Sequence, residues 1–164
     1  MIKVGDRLPA GSFRIKNKDG AIGEHSVDEL FKGRKVVLVG VPGAFTTTCH
    51  NAPVPQFVAN AGILRDKGAD RIVVMAVNDA HVMKSWGESL GADGRIDFVA
   101  DGNGDYAREL GLAIDLAGAG MGTRVKRFSM LVDNGVVKTL NFEPEGAKSI
   151  QATGAATMIS QIGA

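Results

Sequence analysis

Cys49 is the only thiol in the sequence, and its setting is that of a reactive one. It follows a short apolar run, Lys35-Val36-Val37-Leu38-Val39-Gly40, and a turn that begins Val41-Pro42-Gly43-Ala44. It stands where a helical apolar rhythm opens and continues through Phe57, Val58, Ala61, Ile63 and Leu64 as far as Lys67, with Gly68 as its stop. The first turn of a helix carries unpaired N–H groups and a partial positive charge. Both favour thiolate over thiol, and such settings with nearby cations lower a cysteine pKa from about 8.5 to roughly 3.5–7.5. The chemistry on offer is nucleophilic attack by sulfur, with a covalent adduct or an oxidised cysteine as the product. This context favours a reactive thiol over the alternative, a small buried hydrophobe.

The elements that would position Cys49 alternate between short apolar runs and amphipathic stretches. Residues 35–40 and 71–77 read as buried strands, being short, β-branched and bounded by turn residues. Asn78 or Asp79 can cap a helix over 80–90. A strand over 96–100 and a short helix over 104–110 follow. Residues 127–142 alternate on both sides of Asp133-Asn134-Gly135, and Asn-Gly is a strong hairpin signal because both positions accept positive φ. Residues 148–162 read as a final helix. The order β-α-β-α with a late antiparallel hairpin implies an α/β sandwich on a mixed sheet. Residues 112–123, apolar and glycine-rich, read as a mobile loop near a site or an interface. No repeat or boundary divides residues 1–164, so a single domain is expected.

Composition excludes several classes. With 19 basic and 18 acidic residues the net charge is +1, which gives no bulk attraction to nucleic acid or to an anionic membrane. No apolar run approaches the roughly 20 residues of a membrane span, and residues 1–6 lack the apolar stretch of a secretory signal; a cytoplasmic protein is expected. One cysteine and three dispersed histidines, His25, His50 and His81, do not supply zinc-ligand pairs. Gly118-Ala-Gly-Met-Gly122 follows no strand and opens no helix, so it is not a dinucleotide fingerprint. No metal or cofactor is expected. Trp86 reads as core or interface, and His25 and His81 as surface or packing residues. His50 points about 100° away from its neighbour on a helix and is poorly placed as a base for Cys49.

The spacing Pro42-xxx-Thr46-xx-Cys49 resembles the active-site motif of the peroxiredoxins. The wider string Gly40-Val-Pro-Gly-Ala-Phe-Thr-Thr-Thr-Cys-His50 is similar to the peroxiredoxin-5 (type II) subfamily. The likeness continues through Val77-Asn78-Asp79, Trp86-Gly87, Lys126-Arg127-Phe128-Ser129-Met130 and Asn141-Phe-Glu-Pro-Glu-Gly146. It implies a thioredoxin-like α/β fold, a homodimer, and a thiol peroxidase acting on hydrogen peroxide and small alkyl hydroperoxides, with peroxynitrite a further candidate. Cys49 would be the peroxidatic nucleophile. Thr46 would set its hydroxyl between thiolate and peroxide, Pro42 would shield the pocket, and backbone N–H groups of Thr48 and Cys49 would meet the substrate. Arg127 would lie on a neighbouring strand with its guanidinium toward Cys49. Spacing alone leaves Arg124 as an alternative, since residues 124 and 127 point to opposite faces of a regular strand; the Arg-Phe-Ser-Met match selects Arg127.

A lowered pKa cannot by itself make such an enzyme. Moving a thiol from about 8.5 to about 6 raises the thiolate share at pH 7 roughly 30-fold. The accompanying loss of nucleophilicity, at a Brønsted slope of about 0.4–0.5, takes back roughly 13-fold. Most of the acceleration must come from donors that bind the transition state better than the ground state.

The sulfenic acid formed on Cys49 would need a second thiol. Human-type members of the subfamily carry a resolving cysteine late in the chain, but the stretch near Ile150 to Ala152 has none. The plant-type second cysteine, in the strand before Val77, is replaced by Val74 or Met75. An external thiol is therefore expected, glutathione with or without glutaredoxin first and thioredoxin second. Two rival readings remain at this point. A cysteine hydrolase or acyltransferase needs a histidine within reach of Cys49 and an oxyanion hole. A redox sensor or binding module would oxidise slowly and pass a disulfide to a partner.

Overall fold

The computed structural model describes residues 1–46, 53–92, 94–143 and 152–163. Its frame is a seven-stranded sheet in the order β2-β1-β5-β4-β3-β8-β9. The strands are β1 (Ser12–Lys16), β2 (Ile22–Ser26), β3 (Lys35–Gly40), β4 (Arg71–Ala76), β5 (Asp97–Ala100), β8 (Phe128–Asp133) and β9 (Val136–Asn141). The centre, β3-β4-β5, is parallel, and the β1–β2 and β8–β9 hairpins add antiparallel margins. The short strands β6 (Ala113–Asp115) and β7 (Thr123–Val125) form a separate two-stranded ribbon.

The central strands are apolar on both faces, as a parallel sheet covered by helices requires. Along β3, Val37 and Val39 face one core cluster while Val36 and Leu38 face another, the period-two alternation of a strand. The first cluster takes in Val54 and Phe57 of α2 (Pro53–Ala59), Leu64 of α3 (Ala61–Asp66), Met83 of α4 (Ala80–Ser89) and Met158 of α6 (Ala155–Ile162). The second is closed by Leu30 and Phe31 of α1 (Val27–Phe31) and Tyr106 of α5 (Asp105–Leu110). A large apolar side chain fully buried in either layer contributes about 1.5–3 kcal/mol. This is the helix-flanked mixed sheet expected from the sequence.

Asn134 and Gly135 turn the β8–β9 hairpin with φ of 48° and 80°, as the Asn-Gly signal requires. Three expectations need correction. The helix expected as far as Lys67 is divided at Asn60, whose φ and ψ of −107° and 10° leave the helical region. Its carboxamide donates to the Gln56 carbonyl at 2.8 Å, a local bond that competes with the helix ladder. Residues 112–123 are not a plain loop: Leu116 N–H donates to Gly122 C=O at 2.7 Å and closes the β6–β7 ribbon around a 3₁₀ turn, Ala117–Ala119. The final helix, expected from residue 148, is α6 from Ala155, and residues 144–151 lie outside the described residues.

Candidate active site

The described candidate residues, Pro42, Thr46 and Arg127, lie where β3 ends. Gly40 pairs with Phe128 across the β3–β8 ladder, and a Cβ on Gly40 would stand 2.1 Å from the Phe128 ring. Only glycine allows the two strands to close so tightly. The chain leaves β3 through Val41, whose N–H donates to Met75 C=O of β4 at 3.2 Å. This is the carboxyl end of the parallel strands, where open α/β sheets bind their ligands. Arg127 immediately precedes Phe128, so the same pairing brings it to this end of the sheet. It stands just before β8 rather than on it, half-buried and with its Nε screened from solvent.

The segment from Pro42 to Thr46 is held through the backbone groups of Pro42, Gly43 and Ala44. Pro42 is buried, and its carbonyl accepts from Arg124 Nη1 at 3.3 Å. Gly43 is enclosed: a Cβ there would lie 2.8 Å from Arg124 Nη1 and 2.9 Å from Thr46 Cγ2. Ala44 N–H donates to Asn78 Oδ1 at 2.8 Å. Phe45 takes a φ of 59°, a left-handed conformation costing a non-glycine residue about 1–2 kcal/mol. The residue is 57% exposed, and its ring tilts toward Trp86 at 6.5 Å between centroids. Thr46 Oγ1 donates to the Gly43 carbonyl at 2.9 Å. A carbonyl only accepts, so this bond takes the single hydroxyl proton and leaves Thr46 with lone pairs to offer.

Thr48, Cys49 and His50 lie outside the described residues. The helix downstream of them is anchored, because Gln56 Oε1 of α2 accepts from Ala155 N–H at the start of α6 at 3.3 Å. The Asn-Phe-Glu stretch proves to be scaffolding around α6 and the residues that lead into it. Asn141 and Gln161 exchange reciprocal amide bonds at 2.8 Å, and Asn141 also donates to the buried Ser129 at 3.1 Å. Glu143 accepts from the N–H groups of Ala152 and Thr153.

Two residues gain roles that sequence reasoning did not give them. Of the two candidate caps for α4, Asp79 takes the role, accepting from Val82 N–H, and Asn78 turns to Ala44. Arg124 lies on β7 of the ribbon, and the chain leaves that ribbon before it enters β8. The parity argument between residues 124 and 127 therefore does not apply, because no single strand contains both. The other histidines have partners of their own: His25 pairs with Glu29, and His81 lies beside Lys16 at 3.3 Å. Trp86 is buried, with an edge-to-face contact to Phe98. Among the described residues no group of three His, Cys, Asp or Glu could hold a metal ion. A cleft of about 350 Å³ lies elsewhere, lined by Gly11, Glu24, Asp101 and Tyr106 among others. Its carboxylates suit neither a thiolate nor a developing alkoxide.

A sheet with this topology, carrying a proline–threonine turn and two arginines at the carboxyl end of its central strands, defines a thioredoxin-fold thiol enzyme. The redoxin family model matches residues 3–159. Peroxiredoxin-2C of Oryza sativa subsp. japonica is 44% identical over 149 residues, covering 91% of this chain and 92% of that protein. Peroxiredoxin-2C of Arabidopsis thaliana is 41% identical over 151 residues, with 92% and 93% covered. Reduced Prx3 of Vibrio vulnificus, solved in complex with hydrogen peroxide, superposes with a TM-score of 0.91 at 42% identity over 99% of both chains. The chain belongs to the peroxiredoxins and is a peroxidase of the oxidoreductase class. Among the described residues no helix is long and apolar enough to cross a membrane.

Proposed function

We propose that Cys49 is the peroxidatic nucleophile and that hydrogen peroxide and small alkyl hydroperoxides are its substrates. The Cys49 thiolate attacks the nearer peroxide oxygen, the O–O bond breaks, and its electron pair leaves with the distal oxygen as hydroxide or alkoxide. Sulfur loses two electrons and becomes a sulfenic acid, while the leaving oxygen takes a proton to become water or an alcohol. Thr46 accepts the hydrogen bond of the peroxide O–H. Arg127 and the N–H groups of Thr48 and Cys49 donate to the oxygens on which charge grows, and Pro42 keeps bulk water from the pocket.

The observation that carries this reading is the commitment of the Thr46 hydroxyl to Gly43. An acceptor three residues before the only cysteine suits a substrate that brings its own proton. A hydrolase would need a histidine here; of the described residues, His25 pairs with Glu29 and His81 lies beside Lys16.

With one cysteine in the sequence, no intrachain disulfide can close the cycle. We assign the second half to an external thiol. Glutathione condenses with the sulfenic acid to give a mixed disulfide and water, and a further glutathione or a glutaredoxin releases Cys49; thioredoxin is the alternative. The working unit is taken to be a homodimer.

The test is intact mass of the reduced protein, quenched at intervals after one equivalent of hydrogen peroxide, beside Cys49→Ser and Arg127→Ala. Wild type alone should gain one oxygen within milliseconds to seconds, and glutathione should then convert it to an adduct or reverse it. Arg127→Ala should slow the reaction far more than its change in Cys49 pKa explains. Oxidation no faster than that of free cysteine, and indifferent to Arg127, would overturn the assignment.

A further inference from the structure

Arg124 stands outside the residues to which the peroxidase reading assigns chemistry. It joins the β6–β7 ribbon to the turn before Cys49, across 82 residues of sequence. Its Nε donates to Met121 C=O at 2.9 Å, within the ribbon, and its Nη1 donates to Pro42 C=O at 3.3 Å. The planar guanidinium fixes the angle between those donors, so an arginine anchored at one end aims its other end. The same Nη1 stands where a side chain on Gly43 would be. The arginine therefore lies directly over the Pro42–Gly43 backbone. The Gly43 carbonyl in turn receives the Thr46 hydroxyl. Where that carbonyl points decides where the Thr46 lone pairs point.

We propose that Arg124 is a positioning residue for peroxide reduction: by holding the Pro42–Gly43 backbone from the glycine-rich ribbon, it sets the direction in which Thr46 accepts the hydroperoxide. The proposal rests on Cys49 being the peroxidatic thiol and adds a residue that acts through Thr46 rather than on the substrate. It also gives the 112–123 segment a task, since Met121 supplies the anchor.

Misplacing a reacting group by about 1 Å can cost on the order of 10²-fold in rate, so Arg124→Ala should slow the second-order reaction with hydrogen peroxide roughly 10- to 100-fold. The decisive measurement is a double-mutant cycle with Thr46→Val. If Arg124 acts through Thr46, Arg124→Ala in the Thr46→Val background should cost only a small fraction of what it costs alone. Alkylation of Cys49 by iodoacetamide, which needs the thiolate but not Thr46, should keep most of its rate in Arg124→Lys, where the charge remains and the fork is lost. The peroxide rate of that variant should still fall. Equal losses in both Thr46 backgrounds, parallel losses in alkylation and peroxide rate, or no loss would each overturn the proposal. Should Arg124→Ala fail to fold by circular dichroism, Arg124→Lys is carried through the same cycle and judged by the same criteria. A wild type no faster than free cysteine would instead remove the underlying reading, and the inference with it.

Discussion

Asn78 and Ala44 are joined by a 2.8 Å hydrogen bond from the Ala44 amide to the Asn78 carboxamide oxygen, which ties the residues after β4 to the turn after β3. Two neighbouring parallel strands thus share one fixed exit. Asn78→Ala leaves a part-buried N–H without its acceptor, at a cost of about 1–3 kcal/mol, and should lower the peroxide rate. Asn78→Asp keeps an acceptor and adds a negative charge against the turn that leads to Cys49, and a negative charge within reach raises a thiol pKa. It should retain most of the stability while moving the pH midpoint of iodoacetamide alkylation upward. An unmoved midpoint would place Asn78 beyond electrostatic reach of Cys49.

Gly43→Ala inserts a methyl group 2.8 Å from Arg124 Nη1 and 2.9 Å from Thr46 Cγ2. Overpacking of this kind costs about 1–3 kcal/mol, and here the side chains forced aside are the two on which Thr46 orientation depends. The expected outcome is a folded protein with a modest fall in Tm and a disproportionate fall in peroxide rate. Thermal unfolding and stopped-flow rates on one preparation decide it, and a rate that merely follows Tm would contradict the expectation.

Gly40→Ala is the harsher change, since its methyl group would fall 2.1 Å from a Phe128 ring that is completely buried. Neither strand can yield without breaking the β3–β8 ladder. A loss of about 3 kcal/mol is expected, with partial recovery when Phe128→Leu is added. Urea denaturation of the two variants checks this, and additive losses would show that the ring is not the obstacle.

Tyr106 gives the fold an alkaline weakness. Burial, reinforced by Asp101 and Glu109, pushes its phenol far above the usual range. The native state therefore holds the neutral form, while the unfolded chain ionises near pH 10. The stability this contributes is complete below that value and is lost as pH rises above it toward the raised native value. Urea midpoints measured from pH 8 to 11 should fall at the upper end for wild type. Tyr106→Phe should flatten that fall, at the cost of about 1 kcal/mol from its 3.0 Å bond to Pro9 C=O. Equal slopes for the two proteins would refute it.

The central strands and the late hairpin were legible because burial on both faces leaves runs such as Val36-Val37-Leu38-Val39, and because Asn134-Gly135 names its own turn. The N-terminal hairpin and α1 were not. β2 is an edge strand with Ile22 and Glu24 exposed, so little apolar alternation marks it. The break at Asn60 depends on one side-chain bond inside an otherwise helical rhythm. Of the candidate site residues, Pro42, Thr46 and Arg127 are picked out by a motif, and the structure brings these three to one end of the sheet; Thr48 and Cys49 lie outside the described residues. Asn78 and Arg124 escaped because their partners are backbone groups, the Ala44 N–H and the Pro42 C=O. Spacing in a sequence does not label a carbonyl that chain geometry will leave in reach of a guanidinium.

Trp86 is the only tryptophan in the sequence, and it sits under Phe45, the strained residue of the Pro42–Thr46 turn. Any rearrangement that lifts Phe45 changes the polarity and the quenching around that indole. The protein thus carries its own optical probe of the turn, free of contributions from other indoles. The oxidation, reduction and adduct formation proposed for Cys49 would then be followed as emission changes in unlabelled protein wherever they disturb the turn.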